Sequence, residues 1–169
     1  GHVYTPAIAQ TNTTIVDFGI VHRGDAVADR AVSVTNAAPV TPLNDALVAS
    51  IGGAPSPFTT SGSVGGLAAG TSDATSLRVG FGTANAGSFS GTANVGFLSR
   101  DGELADAALP ATTVALHGQV NNFAEASLAK TIGAGTLSRN GNTWTLDFGT
   151  IALGSGDRNA DLAVLNSAI

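Results

Sequence analysis

VDFGIVHRGDAVADRAVSVTNAA, residues 16–38, returns without a gap as LDFGTIALGSGDRNADLAVLNSA, residues 146–168. Asp17, Phe18, Gly19, Gly24, Val34, Asn36 and Ala38 recur as Asp147, Phe148, Gly149, Gly154, Val164, Asn166 and Ala168. Val16, Val21 and Val32 are answered by Leu146, Ile151 and Leu162. Agreement at these spacings marks an internal repeat. Each copy reads as strand, turn, strand. Val16 and Phe18 alternate with polar neighbours, as a half-buried strand requires. Gly19 and Gly24 bracket a connection where glycine supplies backbone angles or a close approach. AVSVTNA (31–37) then puts Val32, Val34 and Asn36 on one face and Ala31, Ser33 and Thr35 on the other. Asn36 closes that strand, where its amide can satisfy loop backbone groups.

Working outward, short strands follow at regular intervals, separated by turn chemistry. DALVASI (45–51) precedes the GGAPSP turn cluster, and PFTTSG (57–62) precedes the turn SVGG. TSLRVGFG (75–82) ends before the loop TANAG, GTANVGFL (91–98) runs into Arg100-Asp101-Gly102, and TTVALHGQV (112–120) closes the unit. GELADAALP (102–110) alone has helical composition, and its Pro110 and short length predict a loop or a single turn. This profile predicts an all-β fold, an immunoglobulin-like antiparallel β-sandwich over residues 1–120. Residues 121–169 read as the truncated start of a second similar unit. There FAEASLAKTI (123–132) leads into GTLSRNGNTWTLDFG (135–149), a hairpin with Asn140-Gly141 at its centre. The repeat thus predicts a piece cut inside a tandem array, and Gly1-His2 reads as the scar of a cleaved tag.

Composition narrows the function classes. The 169 residues carry a net charge of −5, 11% charged residues and no cysteine. Low net charge with recurring Val, Ile and Thr favours a folded β domain of small side chains over disorder. The seven basic residues are spread singly, so no stripe matches a row of phosphates and nucleic acid is not an expected partner. The acidic balance argues against an anionic membrane surface, and no apolar run suits a spanning helix, so direct membrane insertion is not expected. Without cysteine there are no disulfides, zinc-thiolate sites or thiol nucleophiles.

The motifs DFG-x-V/I-x-x-G, the alternating strand ending in Asn, LAAGTSDATSLRVGF (67–81) and AGSFSGTANVGF (86–97) resemble the choice-of-anchor D domain. That family comprises immunoglobulin-like modules related to the ASH and major-sperm-protein-like sandwiches. The resemblance spans residues 14–120 and restarts near 144. It implies a bacterial exported or cell-surface protein built of tandem modules, and it brings no catalytic residues. The family often has a Pro in its L-x-P-G turn, whereas this chain has Leu67-Ala68-Ala69-Gly70. The acidic insert RDGELADAALP is a further departure.

Chemistry-bearing residues are few. His2, His22 and His117 match no metal-ligand spacing and read as ordinary surface or strand histidines. GSFSG (87–91) has Phe89 where a nucleophile elbow needs its serine. Trp144, the one tryptophan, reads as a packing residue rather than a sugar platform. Arg23-Gly24-Asp25 spells the RGD tripeptide in a turn and stands as a candidate receptor-binding site, against a repeat that keeps only the glycine. Asp101, Glu103 and Asp106 lie close enough in sequence to be candidate calcium ligands, against the reading of a solvated loop. No other cofactor is expected. The expectation is therefore a non-catalytic structural or adhesive module, not an enzyme, acting in spacing, assembly or surface attachment. Its expected partners are other copies or neighbouring repeats, with a surface glycan or matrix in reach. The alternative is a module that binds glycan or calcium through its loops.

Overall fold

The computed structural model describes residues 2–168, and the chain divides into two compact units, one ending at Asn121 and one beginning at Asn122. The first holds β1 (Ala9–Thr11), β2 (Ile15–His22), β3 (Arg30–Asn36), β4 (Ala46–Gly52), β5 (Phe58–Ser61), β6 (Ser63–Leu67), β7 (Ser72–Phe81), β8 (Gly87–Arg100) and β9 (Ala107–Asn121). They form an immunoglobulin-like sandwich of two sheets, ordered β1-β3-β7-β5 and β2-β9-β8-β4-β6. Every pairing between these strands is antiparallel except β2 with β9, which run parallel from Ile15 opposite Ala115 to His22 opposite Asn121.

Alternation explains the core. Val32 and Val34 of β3, Leu77 and Val79 of β7, Val95 of β8, and Val114 and Leu116 of β9 are each 0% exposed. Each side chain of this size contributes about 1.5–3 kcal/mol when fully buried. Phe81 stacks on both Phe18 and Phe58 at 5.1 Å between ring centroids and meets Phe89 edge-on at 6.0 Å. Asn36, also 0% exposed, is buried with the polar Asp45 and Ser99, and its amide is fully used. Its Oδ1 accepts the Ile8 and Ala38 amides at 3.1 and 3.3 Å, and its Nδ2 donates to the Asp45 and Leu67 carbonyls at 3.2 and 3.1 Å. A buried amide so satisfied ties loop backbone to the core.

The chain crosses between the two sheets at every link from β1 to β8, and the shortest crossing is a single residue. β5 pairs with β7 in the first sheet and, one residue later, β6 pairs with β4 in the second. The switch is made at Gly62, with φ of +92°, where a Cβ would lie 1.8 Å from the Ser76 carbonyl oxygen. Only glycine fits there.

Three local expectations are corrected. SVGG is not a turn, because Ser63–Leu67 is strand β6. The end of GELADAALP is neither loop nor helical turn, because β9 starts at Ala107 and runs through Pro110. The register with β8 shifts between Val95 and Phe97, and Pro110 falls at that irregularity, where the missing N–H is tolerated. In the hairpin Asn140 pairs with Thr143, so the turn positions are Gly141 and Asn142 rather than Asn140 and Gly141.

The second unit consists of β10 (Ala126–Gly133), β11 (Thr136–Asn140), β12 (Thr143–Asp147) and β13 (Ala160–Asn166). They form two antiparallel ribbons, β10-β13 and β11-β12. None of residues 122–168 is buried. The repeat is nonetheless reproduced at its turns. The Asp17 carboxylate accepts the Gly19 amide and the Asp147 carboxylate accepts the Gly149 amide, both at 2.8 Å, and both glycines have φ of 69°.

Candidate functional site

β13 aligns with β3 position for position and keeps its valine and terminal asparagine, Val164 and Asn166, but its surroundings differ. Val34 is 0% exposed and its counterpart Val164 is 77% exposed, while Val32 at 0% is answered by Leu162 at 43%. β3 lies between β1 and β7, whereas β13 pairs with β10 alone among the described residues. The face that forms the core of the first unit is therefore open in the second.

That face is partly roofed by the β11-β12 hairpin. A groove of about 540 Å³ runs between them, with Leu128, Val164 and Trp144 as its apolar wall and Glu125 and Arg139 among its polar lining. Leu128 stands opposite Val164 in the β10-β13 ladder, and Arg139 opposite Trp144 in the hairpin. The Arg139 guanidinium lies 5.3 Å from the Trp144 ring centroid, and its Nη1 is 3.7 Å from Glu125 Oε1. One face of the indole is thus taken by a cation, and a sugar would have to displace it to stack there. The Arg139–Trp144 pair escaped the reading of the sequence, although the hairpin register puts the two opposite each other once the turn is placed at Gly141-Asn142.

The sequence-derived candidates lie in loops of the first unit and are engaged by their own surroundings. Arg23, Gly24 and Asp25 are exposed. Arg23 Nε donates to the Ala84 carbonyl at 2.8 Å, and the Gly24 amide donates to the Thr83 carbonyl at 3.0 Å. The Asp25 carboxylate accepts the His22 amide at 2.8 Å, with the His22 ring nitrogen 3.8 Å away. The tripeptide is a pinned turn.

Asp101 Oδ1 accepts the Glu103 and Leu104 amides, each at 2.6 Å, and so shapes its own loop. Glu103 Oε1 is 3.6 Å from His2 Nδ1. Asp106 receives a forked hydrogen bond from Arg100, with Nη2 at 2.6 Å and Nε at 2.9 Å. Those hydrogen bonds hold the Asp106 carboxyl below its ordinary range and push the Arg100 guanidinium up. Among the described residues no three His, Cys, Asp or Glu side chains gather so as to hold a metal ion. A buried chain of polar groups that carried no local sequence signal lies nearby. The Ala7 amide donates to Ser99 Oγ, which donates to Asp45 Oδ2, both at 2.7 Å.

No protein-family model matches the chain. No curated protein matches it either. Among solved structures the chain is similar to an ASH/PapD-like domain of human CEP192, its PapD-like domain 7, with a TM-score of 0.47 and 11% sequence identity, covering 73% of this chain and 96% of that one.

Proposed function

We propose that the chain is a non-catalytic immunoglobulin-like module of the choice-of-anchor D type. It belongs to a tandem-repeat bacterial exported or cell-surface protein and acts in spacing, assembly or surface attachment. The observation that supports this is the pairing of a closed sandwich with a second unit whose homologous face is open. The first unit closes its core with residues no later than Val120 and presents scaffold motifs. The second presents an apolar strand, β13, that pairs with β10 alone among the described residues, and unpaired strand edges pair with other strands.

The test is the solution mass of residues 1–169 beside a chain ending at Asn121, measured by light scattering. Association of the longer chain alone makes the second unit an assembly edge. Two monomers remove assembly from the reading and leave a spacer.

A further inference from the structure

A hollow of about 300 Å³ opens on the solvent face of β2, β9 and β8 in the first unit. Strand register builds it. Asp17 of β2 stands opposite His117 of β9, and the next outward row sets Ile20 of β2 and Ser88 of β8 on either side of Gln119. The register of β2 with β9 slips between Asp17 and Ile20, where Gly19 has φ of 69°. That bulge re-aims Ile20, which is 68% exposed. The repeat has Thr150 at the position of Ile20, so the turn itself does not call for an apolar side chain there.

The lining has a definite chemistry. Asp17 Oδ1 accepts the Gly19 amide at 2.8 Å, which leaves Oδ2 as an acceptor. Gln119 gives one N–H to Asn121 Oδ1 at 2.8 Å and keeps its carbonyl and its other N–H. Among the described residues the Ser88 hydroxyl and the His117 ring have no hydrogen-bond partner. Each of these groups can both donate and accept. No Lys or Arg among the described residues lines the hollow, so an anion would meet no counter-charge. An ammonium offers donors alone and would leave the donors of Gln119 and Ser88 unanswered. Sugar hydroxyls give and take together, and the C–H face of a pyranose ring suits Ile20. The volume is at the small end of ligand sites.

We propose that this hollow binds one residue of a neutral, β-1,4-linked polysaccharide. Beside it the sheet face continues without charge, with Ser90 opposite His117, Thr92 opposite Ala115 and Asn94 opposite Thr113. A β-1,4 chain is a flat ribbon and lies along such a face, whereas an α-1,4 chain coils away from it. The Asp17 carboxylate and the Gln119 amide fix the orientation of the ring, and Ile20 covers its C–H face. Such a site goes beyond spacing and assembly, which need no hollow on this face.

The experiment titrates isotope-labelled residues 1–169 with cellohexaose, chitohexaose and maltohexaose and follows the backbone amide resonances. The expected result is saturable binding of cellohexaose or chitohexaose, with a Kd on the order of millimolar for so open a site. The shifts should centre on residues 17–20, 88–90 and 117–119, and maltohexaose should bind at least about tenfold more weakly. A chain bearing Ile20→Ser and Ser88→Ala, both at exposed positions, should bind at least about fivefold more weakly. Its unaltered resonances away from the hollow report that the fold is kept. No saturable binding of either β-1,4 chain, equal binding of maltohexaose, shifts centred elsewhere, or full affinity in the variant overturns the inference. The solution-mass comparison is independent of all four outcomes, so the spacer and assembly readings stand or fall separately.

Discussion

Asn36 and Asn166 each hold two backbone amides on one side-chain oxygen, at the end of the same strand in two copies of the repeat. Asn36 is sealed from solvent and spends its NH2 on two further carbonyls, whereas Asn166 is exposed. Asn36→Ala would strand four backbone groups, two in buried and two in part-buried hydrogen bonds, and is expected to cost about 3 kcal/mol. Asn166→Ala exposes its amides to water and is expected to cost less than about 1 kcal/mol. Urea denaturation of both variants checks this, and equal effects would refute the contrast in burial.

Gly118 is opposite Phe89 on β8, and a Cβ there would meet the Phe81 ring at 2.6 Å. The ring cannot retreat easily, because it stacks on Phe18 and Phe58. Gly118→Ala is expected to destabilise the first unit by about 1–3 kcal/mol through overpacking. Thermal melting checks it, and an unchanged midpoint would mean that the aromatic cluster yields.

Asp73 holds the irregularity in its own strand, β7, where the register with β3 shifts. Its Oδ1 accepts the Ser76 and Thr75 amides at 2.8 and 3.0 Å, and its Oδ2 accepts the Ser76 hydroxyl at 2.8 Å. The Ser76 amide, then the Thr75 amide, then the Ser76 hydroxyl hold its carboxyl below the ordinary value of 3.8. The folded state therefore binds this proton less readily than the unfolded one, and the stabilisation is present above that value and lost as pH falls through the lower folded one. Asp73→Asn should lower stability at neutral pH and converge with the parent in strong acid. Denaturation midpoints across pH read the difference, and parallel curves would dismiss it.

The loop candidates have direct checks. Calcium must displace Arg100 from Asp106 to use that carboxylate, so melting in calcium and in chelator should agree within about 1 °C. A clear rise in calcium would restore Asp101, Glu103 and Asp106 as ligands. For the RGD turn, Asp25→Glu should leave attachment of integrin-bearing cells unchanged, since Arg23 and Asp25 are bonded to the protein itself. Loss of attachment would make the turn a receptor site.

Much of this was legible. Val32, Val34 and Asn36 share a face because alternation forces it, and the DFG turn announced itself by recurring. Other features were hidden for physical reasons. Gly65 and Gly66 gave β6 no side-chain period to read, and Pro110 looked like a terminator because a bulge that tolerates it leaves no mark in the sequence. The parallel pairing of β2 with β9 joins residues about a hundred positions apart, and no local pattern encodes such a partner. The open face of β13 was the least visible, since Leu162 and Val164 read as core by every local rule. Their exposure follows from which strands are beside them.

The β2-β9 pair also bears on load. Its strands lie near the two ends of the first unit and run parallel, with the Arg23 amide extending the ladder to the Asn121 carbonyl at 2.9 Å. Tension drawn backwards from the start of β2 and forwards from the end of β9 slides one strand along the other. Their hydrogen bonds then share the strain together instead of opening in sequence from one end. Such a clamp resists rupture through the height of its unfolding barrier, independently of how stable the sandwich is at rest. Single-molecule stretching through Ile15 and Asn121 should meet a high, brittle peak, and a chain that serves as a spacer under shear would gain its toughness from that one parallel seam.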